Sequence, residues 1–202
     1  MRLRYSPTSP FVRKVTVTAL ELGLDARITR VPTNGWDPAT DLVRDNPLSK
    51  VPTLLLDSGE CLYDSPVICE YLDTLAGGRL LPASGAPRWT ALRRQALADG
   101  LLDAAVLVFV ERGRRPEALR WPAWIGFQLD AVTRALDVLE SEADALPAAP
   151  TLGEIAIGCA LGWIEFRNVA AHWRDGRPRL AHWYAGIAAR PSFAATLPRE
   201  PT

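Results

Sequence analysis

The character of the chain changes once, between Leu80 and Pro87. Before that stretch, short apolar runs alternate with helical ones and are punctuated by proline and glycine. After it, apolar residues recur at helical spacing almost to the end. Such a chain folds as a small α/β unit joined to a helical one. The expected division is residues 1–79, a linker at 80–87 and an all-α region at 88–202.

Within the first part, Met1–Tyr5 reads as a strand and Phe11–Leu22 as a helix ended by Gly23. Ser9 is a good N-cap, and Pro10 suits the first helical position, where a missing N–H costs nothing. Ala26–Val31 reads as a second strand. Pro32–Asp45 is polar, with Asn34-Gly35 and Asp37-Pro38 as turn signals, and is expected to be loop with a short helix. Thr53–Leu56 and Cys61–Tyr63 form a hairpin about Asp57-Ser58-Gly59-Glu60. Ser65-Pro66 repeats the device of Ser9-Pro10 and opens a helix over Val67–Leu75. The order is β-α-β-α-β-β-α with a mixed sheet. Beyond the linker, helices are expected over Arg88–Arg114, Trp124–Leu146, from a Thr151–Glu154 capping box, and over Arg179–Ala189.

Composition excludes several classes. The 23 basic and 23 acidic residues cancel, so neither nucleic acid nor an anionic membrane surface is an expected partner. The longest apolar run, Ala104–Val110, is too short to span a bilayer. Arg2 and Arg4 lead into polar and proline residues rather than an apolar signal core, and three scattered cysteines point to a reducing cytoplasm. Cys61, Cys69 and Cys159 have no metal-ligand spacing, and the chain has two histidines, so no metal site is expected. Cys69 and Cys159 fall on apolar helix faces and read as small core residues.

Three proline-punctuated loops carry the chemistry. They are Ser9-Pro10-Phe11-Val12-Arg13-Lys14, Asn46-Pro47-Leu48-Ser49-Lys50-Val51-Pro52-Thr53-Leu54 and Leu62-Tyr63-Asp64-Ser65. Together they offer a cation at Lys50, an acid at Asp64 and two helix N-termini, which welcome anions. Each feature also has a plain structural role: a serine caps, a lysine is solvated, and an acid favours a helix dipole. Their meeting at the C-terminal edge of one sheet, where open α/β sheets bind ligands, is the informative part.

Taken together, the three loops resemble the cytosolic glutathione S-transferase family, and within it the bacterial members whose first loop reads Ser-Pro-Phe-Val-Arg-Lys. The likeness spans the whole chain. It implies a thioredoxin-like domain of βαβ-α-ββα order with a four-stranded mixed sheet, followed by an all-α domain. It implies glutathione as co-substrate, no metal, and a homodimer.

Carried over residue by residue, the resemblance gives Ser9 the hydroxyl that meets the glutathione sulfur, with Thr8 and then Tyr5 as alternatives. It places Phe11, Lys50, Val51, Pro52, Asp64 and Ser65 around glutathione. Lys50 would meet the glycyl carboxylate, Val51 would pair with the cysteinyl backbone ahead of a cis Val51–Pro52 bond, and Asp64 and Ser65 would hold the γ-glutamyl end. Ser9 and Val12 stand where relatives with a C-x-x-C carry their cysteines, so dithiol exchange is not available at this loop. Leu102, Val106, Phe109 and Val110 are the candidate walls for an electrophile. Asp99 and Asp103 would face the site, the dimer seam or water. Two functions compete: a glutathione transferase or glutathione-dependent reductase, and a non-catalytic member of the fold that binds a protein partner.

Overall fold

The computed structural model describes residues 1–200. Its elements in chain order are β1 (Arg2–Tyr5), α1 (Pro10–Glu21), β2 (Thr29–Pro32), β3 (Thr53–Leu55), β4 (Cys61–Leu62), α2 (Ser65–Leu75), α3 (Gly85–Gly113), α4 (Pro122–Glu142), α5 (Leu152–Phe166), α6 (Pro178–Ala188) and α7 (Pro191–Ala194). The four strands form one sheet in the order β2-β1-β3-β4. β1 pairs parallel with β2 and antiparallel with β3, and β4 returns antiparallel to β3. This is the expected α/β domain with a mixed sheet, followed, among the described residues, by helices only.

Several boundaries differ from the sequence reading. The second helix of the expected order is only one 3-10 turn, Leu42–Arg44, because the turn-forming residues before it and Pro47 after it leave no room for more. β2 starts at Thr29 rather than Ala26, since Asp25–Arg27 wind into another 3-10 turn. α3 begins at Gly85, inside the expected linker. Pro191 does not merely end the last helix; it opens a further short one, α7.

α1 starts as the sequence indicates. The Ser9 hydroxyl accepts from the Val12 N–H at 3.3 Å, Pro10 occupies the first turn, and Gly23 follows the C-cap with φ +72°. That left-handed angle suits glycine, and the turn ends the helix. α1 is buried along almost its whole length and packs against both α2 of its own domain and α5 of the helical domain.

α5 is apolar all round and fully buried from Leu152 to Ile164, as expected of a helix at the centre of a domain. It packs most extensively on α3. Gly153 allows the contact: a Cβ there would come within 2.7 Å of the Ala91 carbonyl oxygen. The Thr151 N–H donates to the Glu154 carboxylate at 2.8 Å, closing the expected capping box. The same buried carboxylate receives Arg94 from α3 at 2.8 Å. Cap and helix–helix ion pair therefore share one residue.

The two domains are pinned by charge as well as by apolar packing. Lys14 of α1 donates to both oxygens of Asp99 on α3, at 2.6 and 2.8 Å. Glu21, at the end of α1, takes Arg190 at 2.8 and 3.0 Å and the Ser192 hydroxyl at 2.5 Å. Arg190 and Ser192 hold its carboxyl below the usual range.

Candidate functional site

Strand register brings the three loops together. Arg4, next to the end of β1, pairs with Thr53, the first residue of β3, and Leu62, the last residue of β4, pairs with Leu54. The chain leaving β1 toward Ser9, the chain arriving at β3 through Val51-Pro52, and the chain leaving β4 through Asp64-Ser65 therefore lie at one edge of the sheet. Two of these segments enter helices, so α1 and α2 both begin there.

At the first loop, Ser9 Oγ accepts a hydrogen bond from Val12 and donates none among the described residues. Its proton is therefore available to a ligand. Capping and ligand binding do not compete, because they use opposite ends of the same hydroxyl. Thr8, the alternative, has its hydroxyl 3.2 Å from that of Ser6. Tyr5, the third choice, lies in β1 with the Arg30 guanidinium over its ring at 5.6 Å.

The second loop is built on Asn46, which is buried. Its side-chain oxygen accepts from the Leu48 N–H at 2.9 Å, and its amide donates to the Lys50 carbonyl at 3.0 Å and to the Thr53 hydroxyl at 3.1 Å. Arg4 reaches from β1 to Asp45 and Asp41 and ties the preceding turn to the sheet. The Val51–Pro52 bond is cis, as the resemblance requires. The Lys50 side chain is exposed and has no ion-pair partner among the described residues.

At the third loop, α2 begins one residue earlier than Ser65-Pro66 suggested. Asp64 is the N-cap, without a side-chain capping bond, and Ser65 is the first helical residue. Ser65 is buried, yet its hydroxyl makes no hydrogen bond among the described residues. The first backbone bond of the helix runs from the Ile68 N–H to the Asp64 carbonyl. Pro66 has no N–H, which leaves those of Ser65 and Val67 for an anion. Asp64 is exposed and unpaired among the described residues.

Behind this loop, on α3, the two candidate acids part. Asp99 is paired with Lys14 of α1, and its side chain is 16% exposed. Asp103 remains at the surface. Its carboxyl is pushed up by partial burial and by the charges of Asp99 and Asp64, against the opposing pull of Lys50 and Lys14.

The expected electrophile wall is reduced by one. Leu102 is completely buried and belongs to the core, whereas Val106, Phe109 and Val110 are half-buried. Phe109 packs edge-on against Trp163 of α5, with ring centres 5.9 Å apart. The Trp163 indole N–H donates to the Thr8 carbonyl at 2.9 Å, so the helical domain holds the Ser9 loop directly. Trp36 carries the Arg114 guanidinium over its ring at 4.2 Å, joining the loop after β2 to the end of α3. Sequence reasoning missed Lys14, Trp36, Arg114 and Trp163. Only Lys14 left a signal, as a charge in the middle of an apolar helix.

The chain is similar to known proteins along nearly its whole length. Residues 8–75 match the glutathione S-transferase N-terminal domain, and residues 110–186 match its C-terminal domain. The chain is 37% identical to the uncharacterized GST-like protein YibF of Escherichia coli K12, over 98% of each chain. A glutathione transferase family member from Pseudomonas fluorescens Pf-5, solved with bound glutathione, superposes with a TM-score of 0.93 at 42% identity, covering 98% of this chain and 99% of that one. A P. fluorescens Pf-5 structure with bound S-(propanoic acid)-glutathione superposes at 0.89 with 41% identity, covering 99% and 100%.

Proposed function

The chain belongs to the glutathione S-transferase family, and from that premise we propose that it binds glutathione and presents its thiolate to a small, largely apolar electrophile. The observation that carries this reading is the Ser9 hydroxyl. It is fixed at the N-terminus of α1 by the Val12 bond and has its own proton to give. The relatives solved with glutathione and with a glutathione thioether support glutathione as the ligand.

The energetics are sufficient. A free thiol has a pKa of about 8.5, and lowering it by two units requires about 2.7 kcal/mol of preference for the thiolate. A hydrogen bond to a charged acceptor supplies about 1.5–3 kcal/mol. A helix N-terminus adds about 0.3–1 kcal/mol. Ser9 and the α1 terminus suffice together; the terminus alone does not. Ser9 acts as a donor and not as a nucleophile. The sulfur forms the new bond to the electrophilic carbon, and the displaced group, or the carbon–carbon π system in an addition, takes the electron pair.

The remaining groups bind. Lys50 meets the glycyl carboxylate, and the Val51 backbone ahead of the cis bond pairs with the cysteinyl unit. The free N–H groups and hydroxyl at Ser65 take the γ-glutamyl carboxylate, and Asp64 faces its ammonium. Phe11, whose N–H is in the first turn of α1, lies beside the sulfur. In the homodimer we infer, Asp103 approaches the same ammonium across the seam. The setting is cytoplasmic, where glutathione is abundant and detoxification of electrophiles is the corresponding role.

Calorimetry with glutathione tests the binding half. Wild type is expected to bind, and Ser65→Ala and Lys50→Ala each to weaken binding by about tenfold, the loss of one charge-assisted bond. No binding by the wild type at millimolar glutathione would overturn the reading.

A further inference from the structure

Arg167 closes the C-terminal end of α5 and is not used by the site as described. Its side chain is 14% exposed, and its guanidinium lies 4.6 Å from the centre of the Phe109 ring and 4.4 Å from that of Phe166. A guanidinium has five N–H donors. Among the described residues its one side-chain hydrogen bond runs from Nη1 to the carboxylate of Glu200, and the buried Nε has no partner. An arginine serving only the helix end would place donors on the terminal carbonyls; this one places none there. Glu200 is 65% exposed and lies on the tail beyond α7, so solvent competes for it readily.

The position of this cation relative to Ser9 is fixed by contacts. Trp163 stands one turn before Arg167 on α5, on the same face. Its indole holds the carbonyl of Thr8, the residue before Ser9, and its ring packs against Phe109. Phe109 in turn carries Arg167. A run of aromatic contacts therefore leads from the loop before Ser9, through the buried Trp163, to the half-buried Phe109 and a guanidinium whose anion is supplied by an exposed tail residue.

We propose that the second substrate is an electrophile with an apolar body and a carboxylate. The body lies along Phe109, and the carboxylate displaces Glu200 from Arg167. The proposal rests on the transferase reading and adds the class of substrate to it. Guanidinium groups are weakly hydrated, stack on aromatic rings and match carboxylates in a bidentate fork, so a ligand that is apolar at one end and anionic at the other fits both features. Glu200 marks the anion position in the unliganded chain.

The test is calorimetry with two thioethers that differ only in charge, S-(4-carboxy-2-nitrophenyl)glutathione and its carboxamide. Wild type is expected to favour the carboxylate by about tenfold, the scale of one charge-assisted pair. Arg167→Met is expected to lose that preference while keeping its affinity for glutathione itself. Glu200→Gln is expected to bind the carboxylate several-fold more tightly and the carboxamide as before. Equal binding of the two thioethers by wild type, or a preference that survives Arg167→Met, would overturn the proposal and leave the transferase reading intact. Failure to bind glutathione and both thioethers would overturn the two together. Should Arg167→Met not fold, Glu200→Gln decides alone, with unchanged carboxylate affinity as the contrary result.

Discussion

The Trp163 indole N–H donates to the carbonyl of Thr8 at 2.9 Å, so the loop that ends in Ser9 is held from the helical domain as well as from its own strand. Trp163→Phe keeps most of the packing against Phe109 and removes this bond. It is expected to cost about 1 kcal/mol of stability, the net contribution of one hydrogen bond. Glutathione affinity is expected to fall by about fivefold, the same loss felt at the loop. Calorimetry of the variant checks this, and wild-type affinity would show that the loop is positioned without α5.

Lys14 and Asp99 form a largely buried ion pair between the domains, with side chains 1% and 16% exposed. Removing one partner strands the other charge, so Lys14→Met is expected to cost about 3–5 kcal/mol, whereas Lys14→Met with Asp99→Leu costs much less. Burial already pushes the Asp99 carboxyl up, and Lys14 opposes that shift. Without Lys14 the carboxyl rises further, so the single variant should regain stability as the pH falls and Asp99 takes a proton. Urea unfolding at two pH values reads both effects.

Cys69 and Cys159 are fully buried, and burial pushes their thiols up to about 11 and about 12. In the unfolded chain they ionise near the ordinary value of 9.0. A folded value above the unfolded one means that the full stability is present below pH 9 and is lost as the pH rises toward the folded values. Two such thiols give a loss of about 2.7 kcal/mol per pH unit between roughly pH 9 and 11. Burial raises the Tyr184 phenol as well, in the same direction. Cys69→Ala should reduce the slope by about 1.4 kcal/mol per unit. In native alkylation, Cys61 should react first, because it alone is partly exposed.

Much of the site was legible because its signals are local. Ser9-Pro10 and Ser65-Pro66 each write a backbone geometry into two adjacent residues, and two helix starts follow at those points. The cis Val51–Pro52 bond was expected from the resemblance of the loops and not from the dipeptide itself. The Thr151–Glu154 cap was readable for the same reason. What stayed hidden depends on partners far away in the chain. Lys14 and Asp99 are 85 residues apart, and Trp163 meets Thr8 across 155, so neither pairing leaves a periodic trace. Leu102 and Phe109 look alike as apolar residues seven apart on one helix. Only packing separates the fully buried one from the one that faces Trp163 and Arg167. The short helix expected within Pro32–Asp45 is a single 3-10 turn: a run of turn formers permits no more, and sequence pattern does not distinguish that turn from a short α-helix.

The central claim is that the Ser9 proton stabilises the glutathione thiolate, and thiolate absorbance of bound glutathione as a function of pH tests it most directly. Wild type is expected to lower the thiol pKa by about two units, and Ser9→Ala to return it by at least about one unit with affinity nearly intact. A Ser9→Ala titration that overlays the wild type would contradict the account and assign the sulfur to another donor at the start of α1.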